Sequence, residues 1–148
     1  MRWRQAGMAG AALLGVAQAC AAGLSGPRTA DGCLSVAGGG QWIVAEGRLT
    51  SRIFPGPPNY ESIAAGDAAE RAFILELASS ECIDDGDEFA DPNERFTTVH
   101  VIAGDEAGHG VAGAFVGRDV VVRGEAFASQ NARHRAPLVL IWDAIEER

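Results

Sequence analysis

Apolar and polar positions alternate along most of the chain beyond residue 40. Over residues 41–53, Ile43, Ala45, Leu49 and Ile53 share one parity, while Glu46, Arg48, Thr50 and Arg52 share the other. A period of two is the signature of a strand with one face on a core. Residues 71–78 form a short apolar run with Phe73, Leu75 and Leu77 on one side. The run is too short for an ordinary helix, so a second strand is predicted. Residues 96–102 are rich in β-branched side chains, with Val99 and Val101 on one face and Thr98 and His100 on the other, which predicts a third. Residues 119–128 and 137–144 complete the set. Gly124 marks a bulge or sharp bend in the fourth strand, and Pro137 suits the first position of the fifth.

Between the third and fourth strands, Asp105 is placed to cap a short helix. Gly108, Gly110 and Gly113 each cost that helix about 1 kcal/mol relative to alanine. The order β-β-β-(α)-β-β predicts an all-β domain with at most one short helix, a five-stranded OB-fold-like barrel. The rival β-sandwich ordinarily needs about seven strands. In the barrel, the connection 54–70 and the loop 129–136 are the expected contact surfaces, because OB folds bind with one face and two flanking loops.

The N-terminus reads as an address. Arg2 and Arg4 precede an apolar run over residues 6–17, and Ala17-Gln18-Ala19 has the small-x-small form of a signal-peptidase site, with cleavage as late as residue 22 as an alternative. The run is shorter than the roughly 20 residues that span a bilayer. Residues 1–19 are therefore expected to be a removed signal peptide, residues 20–32 a flexible lead-in, and residues 33–148 the β domain. No transmembrane segment is expected after cleavage, and the mature chain is placed in the periplasm or outside the cell. Cys20 directly follows Ala19, which leaves a lipidated N-terminal cysteine as a minor alternative. Cys33 and Cys82 are then the only remaining thiols in an oxidising compartment, and they are expected to pair. The alternative is two buried free thiols. No C-x-x-C pair supports zinc.

Charge narrows the partners. The 148 residues hold 12 Lys plus Arg, all of them Arg, against 20 Asp plus Glu, for a net charge of −8. Loss of Arg2 and Arg4 makes the exported chain two charges more acidic. A phosphate backbone does not attract such a surface, so no nucleic-acid partner is expected despite the OB-like strand order.

One string is specific. Phe54-Pro55-Gly56-Pro57-Pro58-Asn59-Tyr60-Glu61-Ser62 is preceded by Gly47-Arg48-Leu49 and followed by Gly66-Asp67. Cys82, Gly117-Arg118 leading into Val120-Val121-Val122-Arg123-Gly124, and His134 before Pro137-Leu138 continue the pattern. In these features the chain resembles a bacterial exported domain family of unknown function that carries an FPGPPNYES signature. The resemblance implies export and a small β domain, and it brings no catalytic residues. Members of that family carry a His-rich stretch before the last strand, where this chain has Arg133-His134-Arg135.

The three prolines of the string fix φ and remove backbone donors, so it cannot be a central strand. It is either a preorganised recognition loop displaying Phe54, Asn59, Tyr60 and Glu61, or a rigid crossover with Phe54 and Tyr60 buried. Arg133, His134 and Arg135 are the candidate contacts of the second loop. Gly108-His109-Gly110-Val111-Ala112-Gly113 matches G-x-G-x-x-G without the βαβ context a dinucleotide site needs. The carboxylates at 84, 85, 87, 88, 91 and 94 lack EF-hand spacing, and a solvated loop is the plainer reading than a calcium site. Arg118, Arg123, Arg133 and Arg135 form either a patch for an anionic partner or solvated strand ends. No nucleophile–base pair is specified, and no metal or cofactor is expected. The expected function is a binding or accessory module of the cell envelope, whose partner is an envelope protein or component. A small envelope hydrolase using a His and a carboxylate is the alternative.

Overall fold

The computed structural model describes residues 23–148, so the segment read as an export signal, with Cys20, lies outside the described residues. The described elements are β1 (Leu24–Ser25), β2 (Leu34–Ser35), β3 (Gln41–Pro55), a 3₁₀ turn (Ile63–Ala65), β4 (Ala69–Glu81), β5 (Ile83–Asp84), β6 (Phe96–Ile102), α1 (Glu106–Gly113), β7 (Asp119–Ala128) and β8 (Leu138–Glu147). The five long strands pair in the order β3-β4-β6-β8-β7, and β7 returns to β3. The β6–β8 pair is parallel and the other four are antiparallel. Three strands, a helix, two more strands and this closure make an OB-like barrel.

Closure depends on β3 serving two neighbours. Its first half pairs with β7, from Gln41↔Ala126 to Arg48↔Asp119, and its second half with β4, from Arg48↔Glu76 to Pro55↔Ala69. Gly47 stands at the change of partner. A Cβ there would lie 2.2 Å from the Glu76 carbonyl oxygen, so only glycine lets the two backbones approach this closely. β1 pairs with β3 opposite Ala45.

The alternation predicted from sequence sets the core. Ile43, Leu49, Leu75, Val99, Val101, Val120, Val122, Leu138 and Leu140 are buried together, with Phe73 and Leu77. Ile53, of the same parity as Ile43, is 54% exposed. β4 is buried on both faces, since the outward-facing Ile74 is covered as well. Its neighbours in the same row, His100 on β6 and Val139 on β8, are also buried. Burial of this outer face is what the period-two reading did not foresee.

Three further details complete the strand pairing. Pairing of β7 with β8 shifts register between Arg123 and Gly124, but the extra residue is Asp143 on β8. Gly124 is the residue that accommodates it, because a Cβ there would lie 2.0 Å from the Ile141 carbonyl oxygen. The last strand runs to Glu147, three residues beyond expectation, through pairs with Val120, Val121 and Val122. Within the expected lead-in, Arg28 forms an ion pair with Glu81 at 2.7 Å and donates to the Leu24 carbonyl.

Cys33 and Cys82 are joined in a disulfide with their Cα atoms 4.8 Å apart. Both are buried, and they lead directly into the parallel β2–β5 pair, where the Leu34 N–H donates to the Cys82 carbonyl at 2.9 Å. A disulfide implies an oxidising, non-cytoplasmic location. Among the described residues, no helix is long and apolar enough to cross a membrane. Asp105 caps α1 as expected, its carboxylate accepting from the Gly108 N–H at 2.8 Å.

Candidate functional site

Two connections leave the same end of the barrel: residues 56–68 join β3 to β4, and residues 129–137 join β7 to β8. The first is organised by one carboxylate. Asp67 is 6% exposed, and its Oδ1 accepts from the Asn59 N–H at 2.9 Å and the Asn59 side-chain amide at 3.2 Å. Its Oδ2 accepts from the N–H groups of Glu61 and Ser62, each at 2.8 Å. The Ser62 and Glu61 bonds above all hold the Asp67 carboxyl below the ordinary carboxylate range, against the opposing effect of burial. This cradle turns the chain so tightly that Tyr60 adopts φ +60, in the left-handed region that disfavours a bulky side chain.

The second connection is closed by its own turn. The Ser129 N–H donates to the Pro137 carbonyl at 2.9 Å, and Nδ1 of His134 accepts from the Gln130 N–H at 2.9 Å. Arg135 then crosses to the first connection. Its guanidinium lies 5.2 Å from the Phe54 ring centroid and 5.5 Å from that of Tyr60. It also forms an ion pair with Glu70 at 3.0 Å and donates to the Ala132 carbonyl at 3.1 Å, and its side chain is only 7% exposed. A cation held against aromatic faces away from water contributes about 1–2 kcal/mol. Arg133 adds a second tie, its Nε donating to the Tyr60 hydroxyl at 3.0 Å.

Phe54, Tyr60, Arg133 and Arg135 thus come together in one lock between the two connections. Asn59 and Glu61 lie in the turn beside it: the Asn59 amide is turned onto Asp67, and Glu61 engages Asp67 through its backbone while its side chain is exposed. His134 makes none of the lock's contacts, and its ring is edge-on to Phe127 at 5.3 Å. Sequence reasoning passed over Asp67, Glu70 and His100. Asp67 stood in the FPGPPNYES-associated Gly66-Asp67 pair, which was the one signal available for it.

His100 anchors the lock to the barrel. It is 8% exposed, and its Nδ1 accepts from the Arg135 N–H at 3.1 Å. Burial, with His134 and Arg135 adding positive charge nearby, lowers its pKa to about 4. Burial also lowers that of His134. Among the described residues, neither histidine hydrogen-bonds a carboxylate or a hydroxyl.

The other candidates resolve by geometry. Arg118 pairs with Glu147 and Arg123 with Glu146, each at 2.6 Å. With Arg135 on Glu70, three of the four expected basic residues are neutralised locally. The G-x-G-x-x-G string lies inside α1, not in a loop ahead of a helix N-terminus. In the acidic loop, Asp84, Asp85 and Asp91 accept backbone N–H groups two residues ahead. Among the described residues, no three His, Cys, Asp or Glu side chains are grouped to hold a metal ion.

No protein-family model and no curated protein matches the chain. Among solved structures, it is similar to the small single-stranded DNA-binding protein from Streptomyces coelicolor at 16% sequence identity and a TM-score of 0.35. The match covers 74% of this chain and 93% of that chain.

Proposed function

We propose that the mature chain is an exported binding module of the cell envelope, in which the barrel presents the joined 56–68 and 129–137 connections to an envelope protein or component. The observation that carries this reading is the lock of Phe54, Tyr60, Arg133 and Arg135. Two connections far apart in sequence are held together on the flank of β4 and β6, the face and loops with which OB folds bind. Loops ordered before contact spare the complex the entropy of ordering them. Export is supported by the buried disulfide and by the Arg2, Arg4 and Ala17-Gln18-Ala19 pattern. The FPGPPNYES resemblance to an exported family points the same way. A full-chain net charge of −8, made two charges more negative by loss of Arg2 and Arg4, with Arg118, Arg123 and Arg135 in ion pairs, argues for a partner other than nucleic acid.

The test immobilises the mature chain and challenges it with envelope extract. Wild type and Arg118→Ala, at the opposite end of β7, are expected to retain the same partner, and Arg133→Ala to lose it. Retention of an identical set by all three, with folding intact, overturns the assignment of the contact surface. Cell fractionation tests export separately: the chain is expected outside the cytoplasm with its N-terminal segment removed.

A further inference from the structure

A second surface lies around the acidic loop that follows β5. Phe89 is 56% exposed, the highest exposure among the large apolar residues of the described chain. Clefts flank it on two sides. One, of about 410 Å³, is walled by Ile83, Phe89, Phe96 and Pro137 and carries Asp91 and Glu94. The other, of about 250 Å³, is walled by Val36, Phe89 and Phe127 and carries Asp85 and Asp87. The first is within the size range of ordinary ligand pockets.

Charge decides what fits. No arginine lines either cleft. None of the four carboxylates takes part in the ion pairs found among the described residues, although seven such pairs form elsewhere, from Arg28–Glu81 to Arg148–Glu46. His134, at the border of the larger cleft, has its pKa lowered by burial. Four unneutralised carboxylates beside apolar walls attract a ligand that is both cationic and apolar. Repetition of the same chemistry on both sides of one aromatic ridge favours an extended ligand over a small amine. A metal ion alone is disfavoured because the carboxylates do not converge.

We propose that Phe89 and its two clefts bind a short peptide segment carrying alternating basic and apolar side chains, with the apolar groups in the clefts and the basic groups on Asp85, Asp87, Asp91 and Glu94. The clefts share Ser129, Gln130, His134, Ala136 and Pro137 with the 129–137 connection, but neither Tyr60 nor Arg133 lines them.

The probe is a blocked hexapeptide of alternating Lys and Leu, titrated into the mature chain by calorimetry at physiological ionic strength. Saturable one-to-one binding is expected. Phe89→Ala is expected to weaken it about tenfold, since an aromatic contact is lost. The double variant Asp91→Asn/Glu94→Gln is expected to weaken it about fivefold, with a flatter salt dependence. Matched Lys–Ser and Glu–Leu peptides are each expected to bind at least about tenfold more weakly. Arg118→Ala, at the end of β7 opposite the clefts, is expected to leave the affinity unchanged. Absence of saturable binding overturns the proposal. So does equal affinity for Lys–Leu and Lys–Ser, or indifference to both sets of substitutions. Phe89 is exposed and the carboxylate changes are isosteric, so thermal unfolding is expected to show all variants folded.

Discussion

Replacing His100 with asparagine isolates the one buried histidine that anchors the two connections. In the native protein its imidazole is neutral, with Nδ1 accepting the Arg135 N–H at 3.1 Å and a pKa of about 4 against an ordinary 6.5. The unfolded chain binds a proton through the interval between those values and the folded chain does not. Stability is therefore fully present above about pH 6.5 and falls as pH is lowered towards 4. The whole shift corresponds to about 3 kcal/mol, of which about 2 kcal/mol is lost between pH 7 and pH 5. Asparagine presents an acceptor where Nδ1 stood and does not titrate in this range. Urea unfolding at pH 7 and pH 5 is the assay. Wild type is expected to lose about 2 kcal/mol, and His100→Asn to lose clearly less, with His134, whose pKa is also lowered, contributing in the same direction. Asp67 does not confuse the comparison. Its depressed carboxyl contributes stability above the ordinary carboxylate pKa of 3.8 that is lost only as pH falls below it. An unchanged pH dependence in His100→Asn, with the variant folded at pH 7, would refute the assignment of this titration to His100.

Three further outcomes follow from the packing. Replacing both Cys33 and Cys82 with alanine frees a loop spanning 49 residues and is expected to cost about 4 kcal/mol in urea unfolding, with no change expected from reductant on the variant. Gly124→Ala forces a Cβ against the Ile141 carbonyl and is expected to cost about 2 kcal/mol or more, whereas Gly110→Ala, with open space around it, is expected to be neutral or stabilising. Arg135→Ala removes the ion pair with Glu70 and both aromatic contacts, and is expected to cost about 2 kcal/mol and to speed proteolysis within residues 56–68. Unaltered cleavage there counts against the lock.

The pattern along the chain carried the barrel. Ile43, Leu49, Phe73, Leu75, Val99 and Val101 face inward because side-chain direction alternates along any strand, so parity alone determines which residues meet. Asp105 and the Cys33–Cys82 pair were legible for similarly local reasons: a cap needs one side-chain oxygen at one place, and two thiols in an oxidising compartment have only each other. The candidate residues were partly legible. Proline density and aromatic content marked the first connection, and a cluster of Arg and His marked the second. That Arg135 lies against Phe54 and Tyr60 was not readable, because the partners are 81 and 75 positions away and meet only after β7 and β8 close the barrel.

From sequence alone came the number and order of long strands, the inward face of the first three, the capped helix, the disulfide and the acidic charge, all properties of local periodicity or simple counting. Tertiary structure decided the rest. It assigned the bulge to Asp143 and made Gly124 its counterpart, and it spent most of the expected basic patch on ion pairs. It buried the outward row Ile74, His100 and Val139, and it left Phe89 exposed between two clefts. The physical reason is common to all of them. Each depends on what stands across from a residue in space, and for a barrel closed by pairing its first long strand to its fourth, that neighbour is distant along the chain.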